Sequence, residues 1–116
     1  MPGAGSSQSP ERVTRRAALE SASMRPSPTL RFYTRASCSL CREARLTLQE
    51  VLEERVAGGR PVPAVREVDI DLDQDAQARY LDTIPVLRLG EEELRSAAGH
   101  RTIGRFIDSA MARVLV

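Results

Sequence analysis

Apolar and polar positions alternate over Leu30-Arg31-Phe32-Tyr33-Thr34, and the aromatic and β-branched content of that run predicts a strand. The period then changes. Leu40, Ala44, Leu48, Val51, Leu52 and Val56 recur at helical spacing in a stretch rich in Leu, Arg and Glu and free of Gly and Pro, which predicts an amphipathic helix with one buried face. Gly58-Gly59 supplies the stop, and Pro61 and Pro63 prevent resumption. Alternation returns from Val65 to Ile70, a second strand, and Asp73 can cap a short helix over 74–80. A third strand over Thr83 to Leu89 contains Pro85 and turns at Gly90-Glu91 into a return strand near Glu93 to Ser96. The pattern closes with a helix over 102–115 whose Ile103, Phe106, Ile107, Ala110, Met111 and Val114 share a face.

The predicted order is β-α-β-α-β-β-α, an α/β class. A helix between the first two strands calls for a right-handed crossover and hence a parallel pair. With 116 residues and 41% apolar content, the chain can bury one core. Residues 29–116 are therefore read as one domain. The first 28 residues, rich in Ser, Ala, Pro and Arg, read as a disordered tail. A transit segment, against which Glu11 and Glu20 speak, and a true start at Met24 are the other readings of that stretch.

Composition narrows the function classes. Aromatic residues make up 3% of the chain and the formal net charge is +1, so neither a base-stacking platform nor a basic field for nucleic acid is expected. No run approaches the roughly 20 apolar residues of a membrane span, and no secretory apolar core is visible near the start. A soluble, cytoplasmic protein that binds neither nucleic acid nor membrane is expected.

Both cysteines, Cys38 and Cys41, lie two residues apart where the first strand hands over to the long helix. In a reducing compartment such a pair is catalytic or metal-binding rather than a structural staple. A cysteine attacks a disulfide as thiolate, and a helix N-terminus favours that anion. Cys38 is thus expected to be the nucleophile, with a depressed pKa, and Cys41 the resolving cysteine. Arg35 and Arg42 add positive charge nearby in sequence. Zinc would need two further ligands beyond the pair, so no metal site is assigned. Asp69, Asp71, Asp73 and Asp75 lack the glycine and distal glutamate of a calcium loop and read as a strand end and helix cap. His100 reads as a surface turn residue, and Tyr33 and Tyr80 as packing residues with hydroxyls at the surface.

The aromatic pair ending the first strand, the C-x-x-C opening the first long helix, the acidic run Val68-Asp69-Ile70-Asp71 and the Ile84-Pro85 of the third strand together resemble the thioredoxin fold. In detail, residues 29 to about 110 resemble the small bacterial glutaredoxin-like proteins. That resemblance implies a four-stranded mixed sheet, a cis Pro85 beside the dithiol, and a substrate groove lined by Thr83 and Ile84. With Arg35, these are the candidate substrate-binding residues. It implies a thiol–disulfide oxidoreductase acting on protein disulfides or glutathione mixed disulfides and served by a thiol reductant system. Glutathione is then a candidate co-substrate, and no tightly bound cofactor is expected. Ser39-Leu40 stands between the cysteines where many glutaredoxins have Pro-Tyr, and Ala98-Gly99-His100-Arg101-Thr102 replaces their Gly-Gly-x-Asp turn. The second function class is a redox-sensing regulatory or metal- or iron–sulfur-binding module on the same fold. Cys38-Ser39-x-Cys41-Arg42-x-Ala44 also resembles the arsenate-reductase and Spx-type branch, but Asp82-Thr83-Ile84-Pro85 lacks that branch's arginine before the proline.

Overall fold

The computed structural model describes residues 27–115. The reading of the N-terminal tail lies outside these residues except for Ser27 and Pro28, and the Pro28 carbonyl already accepts the Ala64 N–H at 2.9 Å. Strand β1 (Thr29–Thr34) leads to helix α1 (Ser39–Ala57), strand β2 (Ala64–Asp69), a 3₁₀ turn (Ile70–Leu72) and helix α2 (Gln74–Tyr80). Strands β3 (Val86–Leu89) and β4 (Glu92–Leu94) and helix α3 (His100–Leu115) complete the chain.

The four strands form one mixed sheet in the order β2-β1-β3-β4. β1 and β2 are parallel, from Thr29 opposite Ala64 to Thr34 opposite Asp69. β3 runs antiparallel to β1, with Leu30 opposite Leu89 and Tyr33 opposite Val86, and β4 runs antiparallel to β3. Since successive side chains point to opposite faces, Leu30, Phe32, Leu87 and Leu89 pack beneath α1 and α3, whereas Tyr33 and Val86 face α2.

The long helix is where predicted and buries Ala44, Leu48 and Val51 as expected, but its stripe differs at both ends. Leu40 and Val56 are 58% and 61% exposed, and the buried face instead runs through Cys41, Ala44, Leu48, Val51 and Arg55. A stripe that starts on Cys41 and keeps helical spacing ends on Arg55, so an arginine and a cysteine occupy the two ends of the core face. The last helix keeps Ile103, Ile107, Ala110 and Met111 buried, begins at His100 rather than Thr102, and leaves Val114 exposed. Ile70 opens the 3₁₀ turn instead of ending β2, because the Asp69 carboxylate accepts the Asp71 N–H and draws the chain into the turn.

The third strand begins at Val86, three residues later than its pattern suggests. The Tyr80 carbonyl takes the N–H of Thr83 at 2.8 Å and of Ile84 at 3.1 Å, and Pro85 has no N–H, so none of the three can donate to the ladder. The return strand is also short. Ser96 adopts a left-handed backbone (φ 51°), and its N–H turns to the Thr83 carbonyl at 2.7 Å.

Candidate functional site

The chain leaves β1 at Thr34 and reaches Cys38 through a tight loop in which Ser37 has a φ of 61°. That left-handed residue aims Cys38, in extended conformation, onto the start of α1 as its N-cap. Its sulfur accepts the Cys41 N–H at 3.1 Å, one of the otherwise orphaned donors of the first turn. Cys38 and Cys41 form a disulfide, with Cα atoms 5.2 Å apart. The two sulfurs differ in access. Cys38 is half-buried, while Cys41 is only 1% exposed and belongs to the buried face of α1.

Strand register brings the proline to the same end of the sheet. Tyr33 pairs with Val86, so continuing the antiparallel register by one residue sets Pro85 opposite Thr34, the last residue before the dithiol loop. The Ile84-Pro85 bond is cis and Pro85 is buried. The loop is fastened from behind, since Ser96 and Ala97 donate their N–H groups to the Thr83 and Pro85 carbonyls, each at 2.7 Å. Thr83 and Ile84 remain half-buried. Both of their N–H groups are occupied by Tyr80, so only the Ile84 carbonyl lacks a loop partner among the described residues. The expected pairing of Ile84 with a substrate strand is thereby cut to a single acceptor.

Arg35 is exposed and pairs through one of its N–H groups. Its Nε lies 3.0 Å from the Asp71 carboxylate, which also accepts the Gln77 side-chain amide, so Arg35 braces the dithiol loop against the 3₁₀ turn and α2. Arg42 is exposed on the outer side of α1 and makes no ion pair among the described residues. Asp69 and Asp73 act as caps, as their spacing suggests, with Asp73 accepting the Ala76 N–H at 3.1 Å.

Two polar clusters flanking the site were not visible in the sequence. Glu67 on β2 accepts hydrogen bonds from Arg45 on α1 and from the buried Thr34 hydroxyl at 2.7 Å, and these partners hold its carboxyl below the usual range. Tyr80 is 1% exposed and its hydroxyl donates to Glu93, which corrects the expectation of a surface hydroxyl. The Tyr80 hydroxyl first, then Arg95, holds the Glu93 carboxyl below its ordinary value. The Tyr33 and Tyr80 rings lie 4.5 Å apart, and burial followed by the neighbouring Tyr80 pushes the Tyr33 phenol up. Each of these contacts joins residues from different elements, and no local spacing announces them. Among the described residues no three His, Cys, Asp or Glu side chains gather as a metal-ligand cluster.

A βαβαββα sheet with a dithiol capping α1 and a cis-proline loop across from it is the thioredoxin class of fold. The Glutaredoxin-like domain family (DUF836) matches residues 29–111, and the chain belongs to that family. Among solved structures it is similar to protein XcR50 of X. campestris, with 27% identity and a TM-score of 0.56 over 69% of this chain and 96% of that one. It shares its fold with chloroplastic thioredoxin z at 18% identity and a TM-score of 0.54, covering 84% of this chain and 89% of the other. No curated protein matches the chain. Family, fold and C-x-x-C pair together indicate a thiol redox protein.

Proposed function

We propose that the protein is a thiol–disulfide oxidoreductase that reduces protein disulfides or glutathione mixed disulfides, with Cys38 as nucleophile and Cys41 as resolving residue. The observation that carries this reading is the asymmetry of the pair, a half-buried cysteine at a helix N-cap joined to a fully buried one in the first turn. In the reduced protein the Cys38 thiolate attacks one sulfur of the substrate disulfide. A Cys38–substrate bond forms as the substrate S–S bond breaks, and the departing thiolate takes a proton from solvent. Cys41, deprotonated, then attacks the Cys38 sulfur and expels the second substrate thiol. The substrate gains two electrons and two protons, and the Cys38–Cys41 disulfide is the oxidised product. The N–H groups and dipole of α1 favour the attacking anion.

Substrate binding falls to the loop across from the dithiol. Thr83 and Ile84 flank the approach, Pro85 shapes it, and the Ile84 carbonyl is available to an extended segment. Arg35 acts as a brace for the dithiol loop rather than a direct ligand. Glutathione or a thioredoxin-reductase system returns the dithiol to its reduced form, no tightly bound cofactor takes part, and the cytoplasm is the compartment that suits such a cycle.

The test is turnover of the wild-type protein, Cys38→Ser and Cys41→Ser on glutathionylated and protein disulfide substrates, with each reductant supplied in turn. Cys38→Ser is expected to fall to background and Cys41→Ser to accumulate a mixed disulfide with protein substrates. Full turnover by Cys38→Ser overturns the assignment. A wild-type dithiol that oxidises and never turns over favours the redox-sensing module instead.

A further inference from the structure

On the far half of α1, a cavity of about 210 Å³ opens between α1 and α3. Glu54 on its wall lies thirteen residues after Cys41, which at 1.5 Å of rise per residue is roughly 20 Å along the helix from the dithiol. The cavity is therefore separate from the redox site. Its walls carry four arginines and a histidine against two carboxylates, in a chain whose net charge is only +1.

The two carboxylates do not neutralise that surplus. Asp108 is shared between Arg55 at 2.5 Å and Arg60 at 3.2 Å, and Glu54 is held by His100 at 2.9 Å. Arg101 and Arg105, one turn apart on α3, line the same cavity and have no carboxylate partner among the described residues. Arg55 is 5% exposed, and only its Nε, bonded to the Pro61 carbonyl at 3.0 Å, and one Nη1–H are used. Three of the five N–H donors of its guanidinium thus have no acceptor among the described residues, in a buried side chain that borders the cavity. Buried donors without acceptors are costly, and charge-assisted bonds to an anion are the strongest way to satisfy them. The first turn of α3 adds to the imbalance, because it carries no acid and places His100 and Arg101 at the positive end of the helix dipole.

We propose that this cavity is a binding site for a phosphate group, as inorganic phosphate or a small phosphate monoester. Arginine forks match phosphate oxygens in charge and in geometry. The volume admits a phosphate with a few attached atoms and lies below the roughly 300–1,000 Å³ of pockets that enclose larger ligands, so the pocket does not enclose a whole nucleotide.

Calorimetric and amide-shift titrations at constant ionic strength test the site, with inorganic phosphate, glycerol phosphate and sodium chloride as probes. Saturable binding of a phosphate probe is expected, with shifts at Arg55, Arg101 and Arg105, and about tenfold or more weaker binding in Arg101→Gln/Arg105→Gln. Both side chains are exposed, so the double variant keeps its fold, checked by its melting temperature without phosphate. Tighter binding of the monoester assigns the site to phosphorylated small molecules, and tighter binding of the inorganic ion assigns it to the free anion. Responses equal to those of chloride, a cavity filled by water alone, or unchanged affinity in the double variant overturn the proposal. Cys38→Ser is expected to bind phosphate like the wild type, which keeps this result independent of the redox reading.

Discussion

On the α1/α3 side of the sheet twelve buried residues, all apolar, form one cluster, whereas on the α2 side only five do, and two of those are tyrosines. The first cluster holds its elements mainly by area, with the Arg45–Glu67 and Arg55–Asp108 pairs at its margins. The second is smaller and carries a polar anchor, the Tyr80–Glu93 bond, at the edge of the loop that holds Thr83 and Pro85. Division of labour follows from the difference. The large cluster supplies stability, and the small one positions the cis-proline loop across from the dithiol.

The largest effect is therefore expected from Ile107→Ala, which empties a fully buried position between α3 and the sheet. A loss of about 2–5 kcal/mol, read from denaturant midpoints, would remove a large part of the roughly 5–15 kcal/mol that such a domain possesses. Val86→Ala on the other face deletes two methyl groups from an equally buried site, and about 1.5–2.5 kcal/mol is expected. A Val86→Ala loss matching that of Ile107→Ala would break the contrast between the two faces.

These faces were unequally legible in the sequence. The aliphatic cluster announces itself through period, since Leu30, Phe32, Leu87 and Leu89 alternate and Ile103, Ile107 and Ala110 recur at helical spacing. The dithiol and its place at the start of α1 were likewise readable as a local motif, whereas the cis proline across from it was implied by the family resemblance and not by local pattern. The stripe of α1 was legible in its middle and misread at its two ends, where a cysteine and an arginine are buried in place of the leucine and valine that a hydrophobicity pattern selects. The Tyr80 hydroxyl was expected at the surface, and Glu93, Glu67 and Arg55 escaped notice, for another reason. Their partners are 13 to 53 residues away, and a polar pair between distant elements leaves no periodic trace.

Tyr80→Phe sharpens the comparison at the anchor itself. Glu93 is partly open to water, so its carboxylate regains solvent when the phenol is lost, and about 1 kcal/mol is expected. The loop beyond Tyr80 should respond more than the fold does. A KM increase with little change in the melting temperature is expected in the disulfide assay, and an unchanged KM would remove the positioning role from the small cluster.

The smallest effect is a pH dependence that has the same sign at both anchors and is told apart by one variant at each. Glu93 and Glu67 both titrate below the ordinary carboxylate value in the folded protein, Glu93 through Tyr80 and Glu67 through Arg45. A carboxyl with a depressed folded pKa contributes stability that is complete above its unfolded value, near 4.3, and is lost as pH falls through the folded one. Wild-type stability should therefore decline from about pH 5 downward. Both groups are solvent-screened, so each contribution stays within about 1 kcal/mol. In Tyr80→Phe the Glu93 share of that slope should shrink while the Glu67 share persists, and in Glu67→Gln the reverse. If Glu67→Gln leaves the acid limb of the stability curve unchanged, the Arg45–Glu67 pair is a surface contact and α1 is held over β2 by the aliphatic cluster alone.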